Sequence, residues 1–345
     1  MKAAVVYQKN EIRIDDVPRP RAGSGEIVVK VRASGICATD VKILSGAGIP
    51  AELPAILGHE VAGTVVELGD GADGAGLHIG QRVAVYPIAA CGQCLYCMQG
   101  RNSLCLQEHG LGHGDDGGFA EYVKIPREVV RLGGVVDIGE MPFDLAAMIE
   151  PTSCCIAAAD QCGTKAGDTV VVIGAGPLGL LNTVVSTAYG AEVVCVDVNV
   201  DRLNKALKLG ARRVINPDLE DTAAVVGEMT SVGADIVIAA VGIPKVMETY
   251  LQLVRNGGVF NIFGGTPRGE MMKVDPRWIH YGEVVLTGTF ASSVSQFHRA
   301  HDFVAEHAEE IEAVISTRCG LDDILAAVRR VQSGEGTKSV ILFPD

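Results

Sequence analysis

The sequence predicts an α/β protein, with a doubly wound parallel sheet in the second half of the chain and a β-rich first half. Strand-like and helix-like runs alternate regularly from Thr169 onward, and a glycine-rich turn follows the first of these strands. Short β-like runs separated by Pro and Gly fill the N-terminal stretch. Regular alternation is typical of sheets with helices on both faces, whereas short punctuated runs are typical of antiparallel strands.

The stretch Thr169–Gly179, TVVVIGAGPLG, gives the most informative local pattern. A β-branched apolar run stops at glycine, and Gly174, Gly176 and Gly179 follow the spacing G-x-G-x-x-G. In a strand–turn–helix unit the first glycine permits the tight turn and the second lets a pyrophosphate approach the backbone. The third glycine lets the helix pack on the strand, so the pattern predicts a dinucleotide-binding turn.

Residues after this turn extend the dinucleotide prediction. Pro177 and Leu178 open the next helix, whose first N–H groups would point at a bound phosphate. The next apolar strand ends at Asp197, roughly 20 residues beyond the glycines, where a carboxylate can bind the ribose 2′-hydroxyl. This carboxylate would repel a 2′-phosphate and favours NAD, although the nearby Arg202 leaves NADP open as the less favoured cofactor.

Periodicity places the remaining elements of the second half. The predicted strands are Thr169–Gly174, Glu192–Asp197, Arg213–Ile215, Asp235–Val241, Val259–Phe263 and Val284–Phe290. The predicted helices are Leu178–Tyr189, Arg202–Leu209 and Lys245–Arg255, closed by Gly190, Gly210 and Gly257. Two later helical patterns, Ser295–His307 and Asp322–Ser333, and a strand at Ser339–Leu342 do not continue this alternation. We therefore infer that the chain returns to complete its first domain.

Composition limits the classes of function. The net charge of −13 and the aromatic content of 5% argue against nucleic-acid binding, which depends on basic side chains and stacking aromatics. Long apolar runs that would predict a membrane span do not occur, and the start of the chain lacks an apolar signal core. We expect a cytoplasmic protein, in which its 10 cysteines are metal ligands or buried thiols rather than disulfides.

Four of those cysteines are clustered. Cys91, Cys94, Cys97 and Cys105 have the spacing C-x2-C-x2-C-x7-C, with glycines among them. Four thiolates in one loop suit tetrahedral zinc without an open position, hence a structural zinc. An iron–sulfur cluster and a set of unrelated buried cysteines are the alternatives.

Several motifs together resemble the zinc-containing medium-chain dehydrogenase/reductase family, nearly from end to end. They are GICATD (35–40), GHE (58–60), the Cys91–Cys105 segment, GGFAEYV (117–123), Glu150-Pro151 and GAGPLG (174–179). The resemblance implies a chaperonin-10-like (GroES-like) catalytic domain over residues 1–150 and 291–345 and a Rossmann NAD-binding domain over residues 151–290. It also implies interconversion of alcohol and carbonyl with a nicotinamide cofactor, in a homodimer or homotetramer.

The same resemblance implies a catalytic zinc held by Cys37 and His59 with Glu60 and Glu150. Carboxylates at these positions are similar to the polyol (sorbitol-type) branch of the family. Zinc with Cys37, Glu60 and Glu150 ionised would have a net negative set of ligands and would be a poor Lewis acid. We therefore expect one carboxylate to give way to water or substrate.

Other positions have implied roles in proton transfer and cofactor binding. Thr39 matches the family's hydroxyl relay, and Lys42 stands where many relatives have a histidine that ends the relay. A lysine there can contact the cofactor ribose, accept a proton if its pKa falls, attract an anionic substrate, or be a solvated surface charge. Lys338 matches a basic residue near the cofactor phosphates. The segment Thr289–Gln296 lacks the arginine of sorbitol-type enzymes, which leaves open a sugar alcohol, a diol or a polyol phosphate within the wider class of polyols and secondary alcohols. A threonine-type amino-alcohol dehydrogenase and a non-catalytic NAD-binding protein are the alternatives.

Overall fold

The computed structural model describes residues 1–46 and 52–344. The chain divides into two compact units, unit 1 over Met1–Ser153 and Ser292–Asp345, and unit 2 over Cys154–Ala291. Within the described residues, no helix is both long and apolar enough to cross a membrane.

Unit 1 begins with short strands joined by turns and short helices. Its first strands are β1 (Lys2–Gln8), β2 (Glu11–Asp16), β3 (Ile27–Ile36), β4 (Ala55–Ile56), β5 (Glu60–Leu68), β6 (Arg82–Val85), β7 (Ile88–Ala89), β8 (His109–Leu111), β9 (Gly114–Asp115), β10 (Tyr122–Ile125) and β11 (Val135–Asp137). Its first helices are α1 (Ala38–Leu44), α2 (Leu95–Met98), α3 (Arg127–Arg131), α4 (Phe143–Ala146) and α5 (Ile149–Cys162), the last of which continues into unit 2.

Unit 2 alternates strands and helices. Its strands are β12 (Thr169–Ile173), β13 (Glu192–Val196), β14 (Arg213–Ile215), β15 (Ala234–Ala239), β16 (Val254–Ile262) and β17 (Val285–Gly288). Its helices are α6 (Pro177–Ala188), α7 (Val200–Lys208), α8 (Thr222–Thr230), α9 (Pro244–Tyr250) and α10 (Pro276–Gly282). The chain then adds α11 (Val294–Glu306), α12 (Ala308–Val314), β18 (Ile315–Cys319), α13 (Ile324–Ser333) and β19 (Lys338–Leu342) to unit 1.

The main sheet of unit 1 is organised around β3. The strand order is β11-β6-β5-β3-β19-β18, and β10 also pairs with β3. At the end of β3, Gly35 pairs with Glu60 of β5 on one side and with Val340 of β19 on the other. Strands from distant parts of the chain therefore meet at this end of β3.

The sheet of unit 2 has the order β14-β13-β12-β15-β16-β17, with every pair parallel. This arrangement confirms the predicted doubly wound fold class. The strands β12, β13 and β15 are almost fully buried, as expected for strands covered on both faces.

One predicted helix in unit 2 is wrong at its end. The helix expected over Lys245–Arg255 stops at Tyr250, and β16 begins at Val254. Gly257 therefore lies in a strand and closes no helix. The pairing of β16 with β15 shifts between Val254 and Val259, so the intervening residues bulge from the ladder and interrupt the alternation that marks a strand.

Candidate functional site

Three potential metal ligands meet in unit 1. Ligand atoms of Cys37, His59 and Glu60 lie within 4.8 Å of one another. A thiolate, an imidazole and a carboxylate are a donor set that zinc accepts, and three protein ligands are typical of a catalytic zinc with an open position. We refer to these three residues as the metal group.

Strand pairing explains why these residues meet. Cys37 directly follows β3, while His59 directly precedes β5 and Glu60 begins it. Since β3 and β5 are antiparallel and Gly35 is opposite Glu60, the end of one strand lies beside the start of the other. Cys37 also caps α1 through a side-chain bond from the N–H of Thr39.

Asp40 fixes the orientation of the metal group. It accepts hydrogen bonds from the N–H groups of Cys37 (2.8 Å) and Gly58 (3.2 Å), and its Oδ1 lies 3.3 Å from Nδ1 of His59. A carboxylate behind Nδ1 leaves Nε2 as the ring nitrogen available to a metal. Asp40 is 2% exposed, so water offers it little competition.

The pKa of His59 reflects this environment. Burial opposes the imidazolium, but the charge of Asp40 and hydrogen bonds to Asp40 and Cys37 outweigh it and raise the pKa well above its ordinary value. A metal at Nε2 requires the unprotonated nitrogen, so metal and proton compete for this side chain.

Glu60 has a second partner that the sequence analysis did not anticipate. Lys338 of β19 forms a buried ion pair with it, and the two side chains are 3% and 1% exposed. Gly35 makes room for this pair, because a Cβ at that position would lie 1.8 Å from Oε2 of Glu60 and 3.0 Å from Cε of Lys338.

Lys338 also changes the charge of the metal group. Burial opposes its charged form, but Glu60, Cys37 and Glu150 raise its pKa above the ordinary value, so the ammonium stays protonated. The ammonium of Lys338 offsets one of the three negative charges that ionised Cys37, Glu60 and Glu150 would bring to the zinc. Its role as a cofactor contact stays a prediction, since the structure shows its ammonium paired with a carboxylate of its own unit.

Glu150 lies at the start of α5 and is 8% exposed. It interacts electrostatically with Lys338, but it does not belong to the set of mutually close ligand atoms in the described part of the chain. Its role as a zinc ligand therefore stays a prediction. A carboxylate held just beyond the ligands could bind a ligand water or the substrate.

Thr39 and Lys42 both lie on the short helix α1 that Cys37 caps. They are half-buried and three residues apart, which brings their side chains to one face of the helix. A proton relay from Thr39 to Lys42 requires both side chains to lie on the same face of the helix.

The four-cysteine cluster is assembled as the spacing predicts. Ligand atoms of Cys91, Cys94, Cys97 and Cys105 lie within 4.8 Å of one another, and the Sγ atoms of Cys91 and Cys97 are 4.0 Å apart. Tetrahedral zinc with Zn–S bonds of about 2.3 Å requires sulfur–sulfur separations of about 3.8 Å. Hydrogen bonds from backbone N–H groups of Cys97 and Leu106 lower the pKa of Cys94 to about 6, whereas burial and the neighbouring thiols raise the pKa of Cys97 to about 12. Cys94 therefore ionises more readily than Cys97, whose proton a metal must displace.

The glycine turn of unit 2 has the predicted local geometry. Gly174 has φ of 95°, and a Cβ at Gly179 would lie 1.8 Å from the carbonyl oxygen of Gly174. A Cβ at Gly176, which caps α6, would have no protein atom within 4 Å in the described part of the chain. Open space beside the first helical turn fits the approach of a pyrophosphate.

Asp197 stands beside this turn. Its Oδ2 accepts a hydrogen bond from the N–H of Ala175 (2.6 Å), and its Oδ1 accepts one from Asn199 (2.8 Å). Arg202 lies in the first turn of α7, with its N–H bound to Asn199. Both predicted cofactor residues therefore lie on the segment that follows β13, at the carboxyl edge of the sheet where dinucleotides bind.

Two models of known protein families match this chain. Residues 23–133 match the alcohol dehydrogenase GroES-like domain, and residues 177–306 match the zinc-binding dehydrogenase family. Sorbitol dehydrogenase of Bacillus subtilis (strain 168) is 31% identical over 352 aligned residues, covering 100% of this chain and 98% of that protein. The chain belongs to the zinc-type medium-chain alcohol dehydrogenase family. The sequence-based resemblance is thus confirmed.

One further relative is named for another substrate, and one solved structure contains a bound cofactor. L-threonine 3-dehydrogenase of Streptomyces avermitilis is 33% identical and covers 98% of both chains. The crystal structure of a zinc-binding dehydrogenase from Sinorhizobium meliloti 1021 bound to NADP has a TM-score of 0.92 and 32% identity, covering 99% of both chains.

Proposed function

We propose that this dehydrogenase oxidises a polyol or secondary alcohol to its carbonyl compound, with zinc and a nicotinamide dinucleotide. The assembly of Cys37, His59 and Glu60 in front of Asp40 is the observation on which this rests. When bound, zinc would supply a Lewis acid for the alcohol oxygen, and the nicotinamide would supply the hydride acceptor.

The chain's own residues orient the ligands and move the proton. Asp40 contacts Nδ1 of His59 and so leaves Nε2 available to the metal, and Lys338 is paired with the carboxylate of Glu60. The hydroxyl of Thr39 can accept the proton of the alcohol while donating its own, because a hydroxyl is both donor and acceptor. Lys42, on the same face of α1, would be the next group on this route only as the neutral amine, because an ammonium has no acceptor for the proton.

Lys338 affects the expectation that either Glu60 or Glu150 leaves the zinc to water or substrate. Its ammonium is paired with Glu60 and adds one positive charge beside the metal group, so two carboxylates can face one zinc at lower cost than the sequence indicated. We propose that Glu60 is the constant carboxylate and that Glu150 binds a water or the substrate. A substrate complex with Glu150 on the metal and Glu60 withdrawn would contradict this assignment.

A substrate panel tests the function. The purified holoenzyme is assayed with sugar alcohols, diols and L-threonine, each with NAD and with NADP, and its zinc is counted. We expect two zincs per chain and turnover of a polyol or diol. Asp197 predicts a preference for NAD. Because the Sinorhizobium meliloti relative was crystallised with NADP, the rates with NAD and with NADP must be compared to establish the cofactor.

Matched cysteine variants test the metal group. Cys37→Ser should lower kcat/KM by at least about 1,000-fold, because a Lewis acid contributes several kcal/mol to the transition state. Cys319→Ser is the control, since Cys319 lies in unit 1 outside both clusters and contacts the carbonyl oxygen of Val340. Equal activity of the two variants would contradict the proposed function, and one zinc without turnover would favour a non-catalytic NAD-binding protein.

Threonine-type activity is the second candidate, because the Streptomyces avermitilis relative is 33% identical over nearly the whole chain. Its substrate has a carboxylate and an ammonium group beside the reacting alcohol. Turnover of L-threonine above that of every polyol and diol in the panel would establish this alternative.

We also propose that two copies of the chain pair through β17. This strand is the edge of the sheet of unit 2, and within the described residues no strand pairs with its outer side. Val285 and Phe290 are 50% and 55% exposed there, an apolar surface that a second copy would cover. Val285→Lys should shift the mass measured by light scattering from a dimer or tetramer toward the monomer, and an unchanged mass would reject this interface.

A further inference from the structure

A chain of buried polar groups leads to the backbone of Glu150. The hydroxyl of Ser153 donates to the carbonyl oxygen of Glu150 (2.6 Å), and the Oγ atoms of Ser153 and Ser292 are 2.7 Å apart. The phenol of Tyr86 donates to the carbonyl oxygen of Ser292 (2.5 Å). All four residues are buried, so bulk water does not replace these bonds.

The direction of these hydrogen bonds follows from proton counting. A carbonyl oxygen only accepts, so the single hydroxyl proton of Ser153 points at Glu150. Ser153 must therefore accept a hydrogen bond from Ser292, and this bond uses the one hydroxyl proton of Ser292. Each serine has one defined role in the chain, and removing either hydroxyl leaves its neighbour with an unmade bond in a dry environment.

The bond joins two points that are 139 residues apart in sequence. Ser153 is the last residue of unit 1 before the chain enters unit 2, and Ser292 is the first residue after it returns. Tyr86 anchors the return point to the end of β6, and its ring packs edge-on against Phe297 of α11, with ring centroids 5.6 Å apart. The first turn of α5 is thus tied to both the sheet and the C-terminal segment of unit 1.

We propose that Ser153 and Ser292 are positioning residues that hold the first turn of α5, and hence the carboxylate of Glu150, in its working place. The inference rests on the proposed function for the role of Glu150. The terminal turn of a helix lacks half of its usual internal hydrogen bonds and frays readily. The bonds of Ser153 and Ser292 hold this turn from outside the backbone ladder of the helix.

Hydrogen exchange tests the positioning directly. Ser292→Ala and Ser153→Ala should each speed amide exchange in the first turn of α5 and lower kcat/KM about tenfold, as is typical when a supporting partner of a site is lost. Ser153→Thr keeps the hydroxyl and should retain most of the activity, because threonine in helices makes the same bond to the preceding turn. Melting temperatures show whether each variant is folded.

Thr152 supplies a matched control. It is the neighbouring residue in the same turn and is fully buried, yet its Oγ1 has no hydrogen-bond partner in the described part of the chain. Thr152→Val removes a buried hydroxyl with little change in volume. We expect it to alter neither exchange in the first turn of α5 nor kcat/KM.

A double-mutant cycle separates positioning of Glu150 from a general structural effect. If Ser292 acts through Glu150, Ser292→Ala should change kcat/KM little once Glu150→Ala is present. The same tenfold loss in both backgrounds, or unchanged exchange in Ser292→Ala, would overturn the proposal. Should the wild-type enzyme oxidise no alcohol, the proposed function fails, while the exchange result still decides whether the serines hold the turn.

Discussion

Asp40 and His59 set the proton state of the metal group. Asp40 stabilises the imidazolium of His59, and burial is not enough to reverse this effect. A residue that is poised to bind zinc through Nε2 is therefore protonated in the metal-free chain at a pH where a free histidine would already be neutral. Zinc must displace that proton before it can bind Nε2.

The raised pKa predicts how zinc uptake depends on pH. Because the folded chain holds the His59 proton up to a pH above the ordinary value, zinc uptake by this group should weaken as pH falls through that raised pKa. The apparent affinity should drop by about tenfold per pH unit for each proton that zinc displaces. Titration of the metal-free protein with zinc between about pH 6 and about pH 8, in two buffers of different ionisation enthalpy, measures the affinity and the protons released.

Asp40→Asn is the matched variant for this titration. The amide cannot stabilise an imidazolium by charge, so the pKa of His59 should return toward its ordinary value and the pH at which uptake weakens should fall. A pH profile identical to that of the wild type would show that Asp40 does not control this proton.

Residue identities in the metal group were predictable from local motifs, whereas their supporting partners were not. GICATD and GHE contain Cys37, Asp40, His59 and Glu60 within short stretches. The partner of Glu60 is 278 residues away, and spacing alone cannot show that Lys338 arrives there. Only the pairing of β19 with β3 brings it to the site.

At the scale of elements, Gly35 is the residue at which β3 pairs with β5 on one side and with β19 on the other. Gly35→Ala would place a methyl group against Glu60 and Lys338. We expect a loss of about 1–3 kcal/mol in the free energy of unfolding, as for other overpacked sites, and weaker zinc binding at the metal group. Zinc content and urea unfolding measure the two effects.

Gly74→Ala is the control for this substitution. A Cβ at Gly74 would contact nothing within 4 Å in the described part of the chain. Its stability and zinc content should match those of the wild type. Two full equivalents of zinc in Gly35→Ala, with wild-type stability, would show that β3 tolerates a side chain beside the ion pair.

The two glycines of the dinucleotide turn should respond oppositely to alanine. Gly176 has φ of −67° and open space for a Cβ, so Gly176→Ala should preserve stability but raise the KM for the cofactor by at least about tenfold. Gly179→Ala would clash with the carbonyl oxygen of Gly174 and should lower the melting temperature of the apoprotein. An unchanged cofactor KM in Gly176→Ala would contradict a pyrophosphate at this turn.

Helices and strands with a regular repeat of apolar residues were predicted well, and the errors occur where this repeat is interrupted. All six strands of the parallel sheet were located from their apolar runs. The bulge in β16 hid the first part of that strand, since its extra residues have the polar and glycine-rich composition of a turn. The helices α8 and α10 were not predicted. Although α8 is as long as α7, its apolar residues are not gathered on one face, so it lacks the helical period that marked α7.

At the scale of the whole molecule, the two metal clusters are separate sets of ligands within one unit. Cys94→Ser should leave one zinc per chain and destabilise the protein by several kcal/mol, because a structural zinc contributes directly to folding. Zinc analysis, thermal unfolding and initial rates measured together would show this loss. Residual turnover by the remaining folded protein is expected, since the metal group does not include Cys94.

Loss of both zincs in Cys94→Ser would mean that the metal group depends on the four-cysteine loop. Cys195→Ser is the control, because Cys195 is a buried thiol of unit 2 that belongs to neither cluster. Burial raises the pKa of Cys195 to about 12, so it remains a neutral thiol and offers no thiolate to zinc.

The late position of β19 in the chain has a consequence for biosynthesis. This strand lies between β3 and β18 in the sheet, yet the ribosome makes it only after all of unit 2 has emerged. Until then the nascent chain has an open strand edge along β3, and Glu60 lacks its ammonium partner. The contiguous unit 2 can fold first, and zinc that enters before Lys338 is translated would meet a more negative set of ligands than the finished enzyme presents.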